Sequence, residues 1–196
     1  MDANKKLLKE IVKCGNDPVY FMTHYTWVQH PVRGLMRFKM FDYQIDTVNR
    51  IQTHKRNIIV KSRQIGISET VAQYILWLAL FHKDKIIAIV SKSQDASNEI
   101  IRRIKMSYNM LPNKLKIATF DKDSITELRF DNRSLVKAYG LTEDVARGKS
   151  ISFLFVDEAA AIDIGEAMWQ STSPTLSEGR ISYYCFNSKG QFGMVL

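Results

Sequence analysis

Residues 151–156, Ile151-Ser152-Phe153-Leu154-Phe155-Val156, hold one polar side chain among five apolar ones. A strand covered on one face alternates apolar with polar; a run without alternation predicts a strand buried on both faces, inside a parallel sheet. Similar short runs occur at 57–60, 85–90 and 181–186, and helical stretches separate them. Over 41–54, Phe41, Ile45, Val48 and Ile51 recur every three or four positions. A second helix is expected over about 69–81. A third spans 94–111, striped by Ile100, Ile101, Ile104, Tyr108 and Leu111, with Ser91 or Ser93 as its N-cap. Segments 115–119, 125–130 and 134–139 read as further strands, the last two joined by a turn at Asp131-Asn132. Strands alternating with helices predict βαβ units and an α/β fold, a mainly parallel sheet with helices on both faces. Residues 1–40 form a lead-in: helical over 1–14, then a packed loop or short helices with Tyr20, Phe21, Tyr25 and Trp27. The main domain runs from 41 to 196.

Nothing in the 196 residues suggests disorder, since 45% are hydrophobic and 24% charged. No apolar run reaches the roughly 18 residues that a membrane span needs, and the first residues lack an apolar signal core. Cys14 and Cys185 make no CxxC pair, so a disulfide framework is excluded. Scattered histidines (His24, His30, His54, His82) have no metal-ligand spacing. The formal charge is +8 and unevenly spread: 10 basic and 5 acidic residues in 1–60, 10 and 4 in 61–120, but 8 and 11 in 121–196. A basic first 120 residues fits a polyanionic partner, and equally a solvated surface.

Two motifs carry chemistry. Lys61-Ser62-Arg63-Gln64-Ile65-Gly66-Ile67-Ser68 lies between an apolar strand and a helix, where backbone N–H groups and a helix N-terminus face an anion. Against the GxxxxGK[ST] template, Gly66 and Ser68 fit the second glycine and the magnesium-binding hydroxyl. Lys61 stands where the first glycine should be, and Ile67 where the lysine should be. An ordinary strand–loop–helix junction also fits the segment taken alone. The second motif is the apolar run that delivers Asp157 and Glu158. Asp157 is a candidate for holding Mg2+ through water, and Glu158 for polarising the attacking water; an acidic pair capping the next helix is the plainer reading. Tyr43-Gln44, upstream of the loop, can stack on adenine and read its edge, or simply start an amphipathic helix.

In combination and in this order, the segments resemble the large terminase subunits of tailed bacteriophages. The resemblance covers about 40–190: Tyr43-Gln44, Ser62-Arg63-Gln64-Ile65-Gly66, Val145-Ala146-Arg147-Gly148, the FVDEAA run at 155–160 and Ser177-Glu178-Gly179-Arg180. It implies a P-loop NTPase of the ASCE type that binds ATP and Mg2+, with a deviant Walker A loop in which Lys61 supplies the phosphate charge missing at Ile67. Ser62 to Ser68 would cradle phosphates, with Ser68 and Asp157 on the metal and Glu158 as general base. Arg63 would be a second phosphate contact. Arg147 would be an arginine finger offered to a neighbouring subunit, or else a surface ion pair. Asn187 or Ser188 would sense the γ-phosphate, although the family's Thr-Pro pattern is lost there.

The resemblance further implies a motor that pumps double-stranded DNA into a procapsid. Portal protein and small terminase subunit are the implied partners, in a homo-oligomeric ring, in the host cytoplasm. A complete large terminase adds a nuclease domain for which 196 residues leave no room, so the motor domain is expected to be shortened at its C-terminal end. Two competitors stand beside this reading: a helicase-like DNA translocase, and a non-hydrolysing remnant that only binds nucleotide or DNA.

Overall fold

The computed structural model describes residues 2–62, 64–140, 150–158 and 180–186. Helices α1 (Asp2–Asn16) and α2 (Pro18–Tyr25) come first. Asp17 caps α2, its carboxylate accepting from the Tyr20 N–H, and Pro18 opens the helix, where a missing N–H costs nothing. A hairpin follows, β1 (Trp27–His30) and β2 (Gly34–Arg37), standing apart from the main sheet as a two-stranded ribbon. Helix α3 (Asp42–Thr53) leads to β3 (Arg56–Val60), α4 (Ile67–Phe81), β4 (Ile86–Val90) and α5 (Gln94–Asn109). Ser93 caps α5 through the Ala96 N–H. Strands β5 (Phe120–Asp123), β6 (Glu127–Phe130), β7 (Leu135–Tyr139), β8 (Phe153–Val156) and β9 (Arg180–Phe186) complete the described elements.

Among the described residues the main sheet has seven strands in the order β3-β9-β8-β4-β7-β6-β5. The pairs from β3 to β7 are all parallel, and β6 and β5 extend the sheet antiparallel. The sheet is therefore mixed with a parallel majority, as the apolar runs predict. Strand β8 is buried at all four positions and sits between β9 and β4, which is why it shows no alternation. Phe153 and Phe155 join the core that α4 and α5 cover; Leu154 and Val156, on the opposite face, are equally buried.

Helix α4 carries the core, with eleven of its residues buried from Ile67 to Leu80. Its wide apolar surface is that of a helix enclosed on most sides. Cys14, Phe21, Met22 and Phe38 belong to the same cluster, so residues before 40 pack into the one core.

Two local expectations differ from the structure. Segment 15–40 contains a β-hairpin as well as a helix. Segment 115–119 is not a strand: a 3-10 turn, Asn113–Leu115, follows Pro112, and the strand starts later, at Phe120. Tyr108 accounts for the shift, because its hydroxyl donates to the Ala118 carbonyl and its ring packs on Phe120, 4.2 Å between centroids.

Candidate functional site

Strands β3 and β8 run in the same direction, separated by β9, and their C-terminal ends deliver the two charged motifs to one edge of the sheet. Such edges, at the carboxyl ends of parallel strands, are where ligands bind in α/β sheets.

After Val60 the chain turns through a loop with left-handed residues at Gln64 (φ 62°) and Gly66 (φ 76°). Left-handed residues in a turn gather N–H groups into a concavity suited to an anion. Gly66 is the N-cap of α4, so the free N–H groups of that helix open into the same loop. Ile67 is only 2% exposed, and Ile65 also packs against the core. Their side chains anchor the loop to the core.

Three side chains named from the sequence meet here. The Ser68 hydroxyl donates to Asp157 Oδ2 at 2.7 Å. Lys61 Nζ lies 3.9 Å from Asp157 Oδ1, both side chains largely shielded from solvent. Asp157 is fixed from behind, its own N–H donating to the Val90 carbonyl and its Oδ1 accepting from the Glu158 N–H. Hydroxyl and carboxylate oxygens are the hard donors Mg2+ takes, which ordinarily uses one or two protein ligands with water and phosphate completing the shell. Ser68 and Asp157 fit that pattern. A group of three or more carboxylate, histidine or cysteine ligands is absent among the described residues.

Glu158 is in the left-handed region, φ 54°, a conformation that costs a non-glycine residue free energy and collects at functional sites. Its carboxylate meets Lys92, Nζ to Oε2 2.7 Å. Lys92 belongs to neither sequence motif. The signal was its position two residues beyond a buried strand adjacent to β8, at the same sheet edge.

Tyr43 and Gln44 face the loop. The Tyr43 hydroxyl donates to the Ile65 carbonyl at 2.8 Å, and burial pushes its pKa up. Gln44 Nε2 lies within 3.3 Å of the Ile65 carbonyl and 3.5 Å of that of Gly66, while its Oε1 accepts from the Phe41 N–H. The Tyr43 ring stacks on Phe41, 5.6 Å between centroids and 9° from parallel, and both stay substantially exposed. A flat exposed aromatic surface thus stands beside the loop. Ser62 and Gln64 lie in the loop itself. Arg63, Arg147, Asn187 and Ser188 fall outside the described residues.

Behind the site, the Glu69 carboxylate in the first turn of α4 accepts from Gln73 Nε2 at 2.7 Å. Burial raises its pKa, opposed by the Arg103 guanidinium 3.5 Å away.

A family described as terminase large subunit, T4-like-virus type, N-terminal, matches residues 58–194. Among solved structures, the chain resembles the large terminase of bacteriophage HK97, with a TM-score of 0.68 and 15% identity over 87% of this chain and 37% of that one. It also resembles the large terminase ATPase domain of Thermus phage P74-26, with a TM-score of 0.58 and 18% identity over 79% and 67%. For the large terminase of a thermophilic bacteriophage in complex with ADP, the TM-score is 0.54 at 14% identity, over 76% and 38%. At these identities the structural likeness shows the fold. The chain spans little more than a third of the HK97 protein and of the ADP-bound one.

Proposed function

We propose that this chain, which belongs to the N-terminal family of T4-like-virus-type terminase large subunits, is an ATP-hydrolysing DNA-packaging motor domain. What carries the reading is the meeting of Lys61, Ser68 and Asp157 at the carboxyl edge of the parallel strands, beside the N-terminus of α4. Phosphates would lie against the backbone of residues 62–68, with the Lys61 ammonium supplying the positive charge that Ile67 cannot. Arg63 is the second phosphate contact in this reading.

Ser68 and Asp157 would hold Mg2+, which supplies charge neutralisation of the β- and γ-phosphates when bound. Lys61 then exchanges Asp157 for the phosphates as its partner. Glu158 orients water and takes its proton. In the structure its carboxylate is paired with Lys92, a contact that must loosen before the carboxylate can accept a proton. Tyr43 and Phe41 offer the adenine a stacking face, and Gln44 ties that face to the loop. Arg147 completes a neighbour's site in a ring of subunits. Hydrolysis would drive double-stranded DNA into a procapsid, docked through portal protein and small terminase subunit in the bacterial cytoplasm.

ATP turnover by the purified chain tests the reading. Glu158→Gln is expected to lower kcat by about 10²–10⁴-fold, the usual worth of a general base, and Lys61→Ala to lower kcat/KM by a comparable factor. Wild-type turnover in the Lys61→Ala chain would overturn the deviant-loop assignment. Strand separation on a forked duplex would instead favour a helicase.

A further inference from the structure

From Pro18 to Phe41 the chain contains no acidic residue, while Arg33, Arg37 and Lys39 and two histidines, His24 and His30, fall in that stretch. Of these, His30, Arg33 and Arg37 lie on the β1–β2 hairpin, and Lys39 follows two residues after β2. The register pairs Trp27 with Arg37, Val28 with Met36, Gln29 with Leu35 and His30 with Gly34. Directly opposed residues share a face. Val28 and Met36 therefore share the face toward the molecule, where Val28 packs on the core. Gln29, Leu35 and Arg37 occupy the other face and are exposed. The alternation continues past β2, placing Lys39 outward and Phe38 in the core at 4% exposure.

Local hydrogen bonds shape the tip of the ribbon. His30 Nδ1 accepts the N–H groups of Val32 and Arg33, both at 3.1 Å, and Gly34 closes the turn at φ 70°. Arg37 lies over the Trp27 ring, 4.5 Å from its centroid, and donates to the His24 carbonyl. Arg33 and Lys39 have no acidic partner among the described residues. Glu69, which Gln73 links to this ribbon, is engaged by the Arg103 guanidinium.

The ribbon is also tied to the helix that starts at the candidate site. The Trp27 N–H donates to Ser107 Oγ of α5 at 3.1 Å, and its carbonyl accepts from Gln73 Nε2 of α4. Gln73 in turn holds Glu69, the neighbour of Ser68.

We propose that the outer face of this hairpin, through Arg33, Arg37 and Lys39, is a contact surface for the phosphate backbone of duplex DNA. The inference rests on the DNA-packaging reading above and adds where the polymer touches. Cations without a carboxylate partner on an acid-free ribbon suit a partner whose charge is dense and regularly spaced, and a two-stranded ribbon is narrow enough to enter a major groove. Arg and Lys contacts to phosphate oxygens carry no sequence information, so the proposed contact is indifferent to sequence.

The test is anisotropy of a labelled random-sequence duplex titrated with the chain across a salt series. Wild type is compared with Arg33→Glu/Lys39→Glu, and with Lys83→Glu/Lys114→Glu as an equal charge change elsewhere. The hairpin pair is expected to weaken binding at least several-fold and to reduce the salt slope by about one per lost contact. The control pair and basal ATP turnover should stay near wild type. Equal affinity and slope in wild type and the hairpin pair would overturn the inference alone. Unchanged DNA affinity with altered oligomer size would overturn it in favour of a subunit interface. A wild-type chain that binds no duplex at low salt would remove the packaging reading with it.

Discussion

At Gly66 two demands coincide. Its φ of 76° lies in the left-handed region, and a Cβ there would meet Gln44 Nε2 at 2.8 Å. Left-handed backbone costs a residue with a Cβ roughly 1–2 kcal/mol, and the crowded atom is the one tying α3 to the loop. Gly66→Ala is expected to lower stability by about 1–2 kcal/mol, read as a lower urea midpoint with an unchanged slope. Turnover should fall as well, since Gln44 must move. The direct hydrogen bond between Ser68 and Asp157, which the resemblance put together on a metal ion, comes from the structure; the glycine was legible from the motif. The Lys92–Glu158 pair was not: Lys92 belongs to no motif, and only the adjacency of β4 and β8 brings it to Glu158.

Among the elements, α1 and α2 are latched by one carboxylate. Glu10 Oε1 accepts from the Tyr25 hydroxyl at 2.6 Å and the Tyr20 hydroxyl at 2.8 Å. Those two bonds, Tyr25 first, hold the Glu10 carboxyl below its ordinary 4.5. A carboxylate depressed in the folded state stabilises above its unfolded pKa, and that contribution fades as pH falls through the folded value. Tyr25→Phe is therefore expected to lower the urea midpoint at neutral pH, with the gap to wild type closing as pH drops below 4.5. Tryptophan emission is a suitable probe, because Trp77 Nε1 donates to the Cys14 carbonyl of α1. Sequence periodicity found α1 and placed α4 and α5 to within about two residues at their ends. It missed the β1–β2 hairpin because Leu35 lies outward and Trp27 lies under Arg37, so apolar residues fall on both faces and the period-2 pattern vanishes.

For the molecule as a whole, the site is assembled from segments far apart in the chain and held by one core. A ligand that binds only this assembled state stabilises it by mass action, about 2.7 kcal/mol at a hundredfold excess over Kd. For a chain of this size that is a rise in Tm of roughly 5–10 °C. A non-hydrolysable ATP analogue with Mg2+ is expected to produce it in a thermal melt, and Lys61→Ala to remove most of it. At the edge of the sheet that the described residues form, β3 leaves Ile58 and Val60 exposed at 62% and 67%, while Ile59, on the other face, packs on the core. The run Asn57-Ile58-Ile59-Val60 reads as a buried strand; in the described structure it is covered on one face only.

What the sequence determined by itself is the class of the fold, since it is written in local pattern, in unalternated apolar runs and helical period; by spacing it also marked a glycine, a hydroxyl and an acidic pair as candidates. The tertiary structure decided the strand order, and with it the partners. Insertion of β9 between β3 and β8, and of β8 beside β4, determines which loop ends meet. The contacts of Lys61, Ser68 and Lys92 with the carboxylates, and the anchoring of the basic hairpin to α4, are distances between residues remote in sequence. Hydrophobic pattern specifies which face a residue turns to the core, but not which neighbour it finds there.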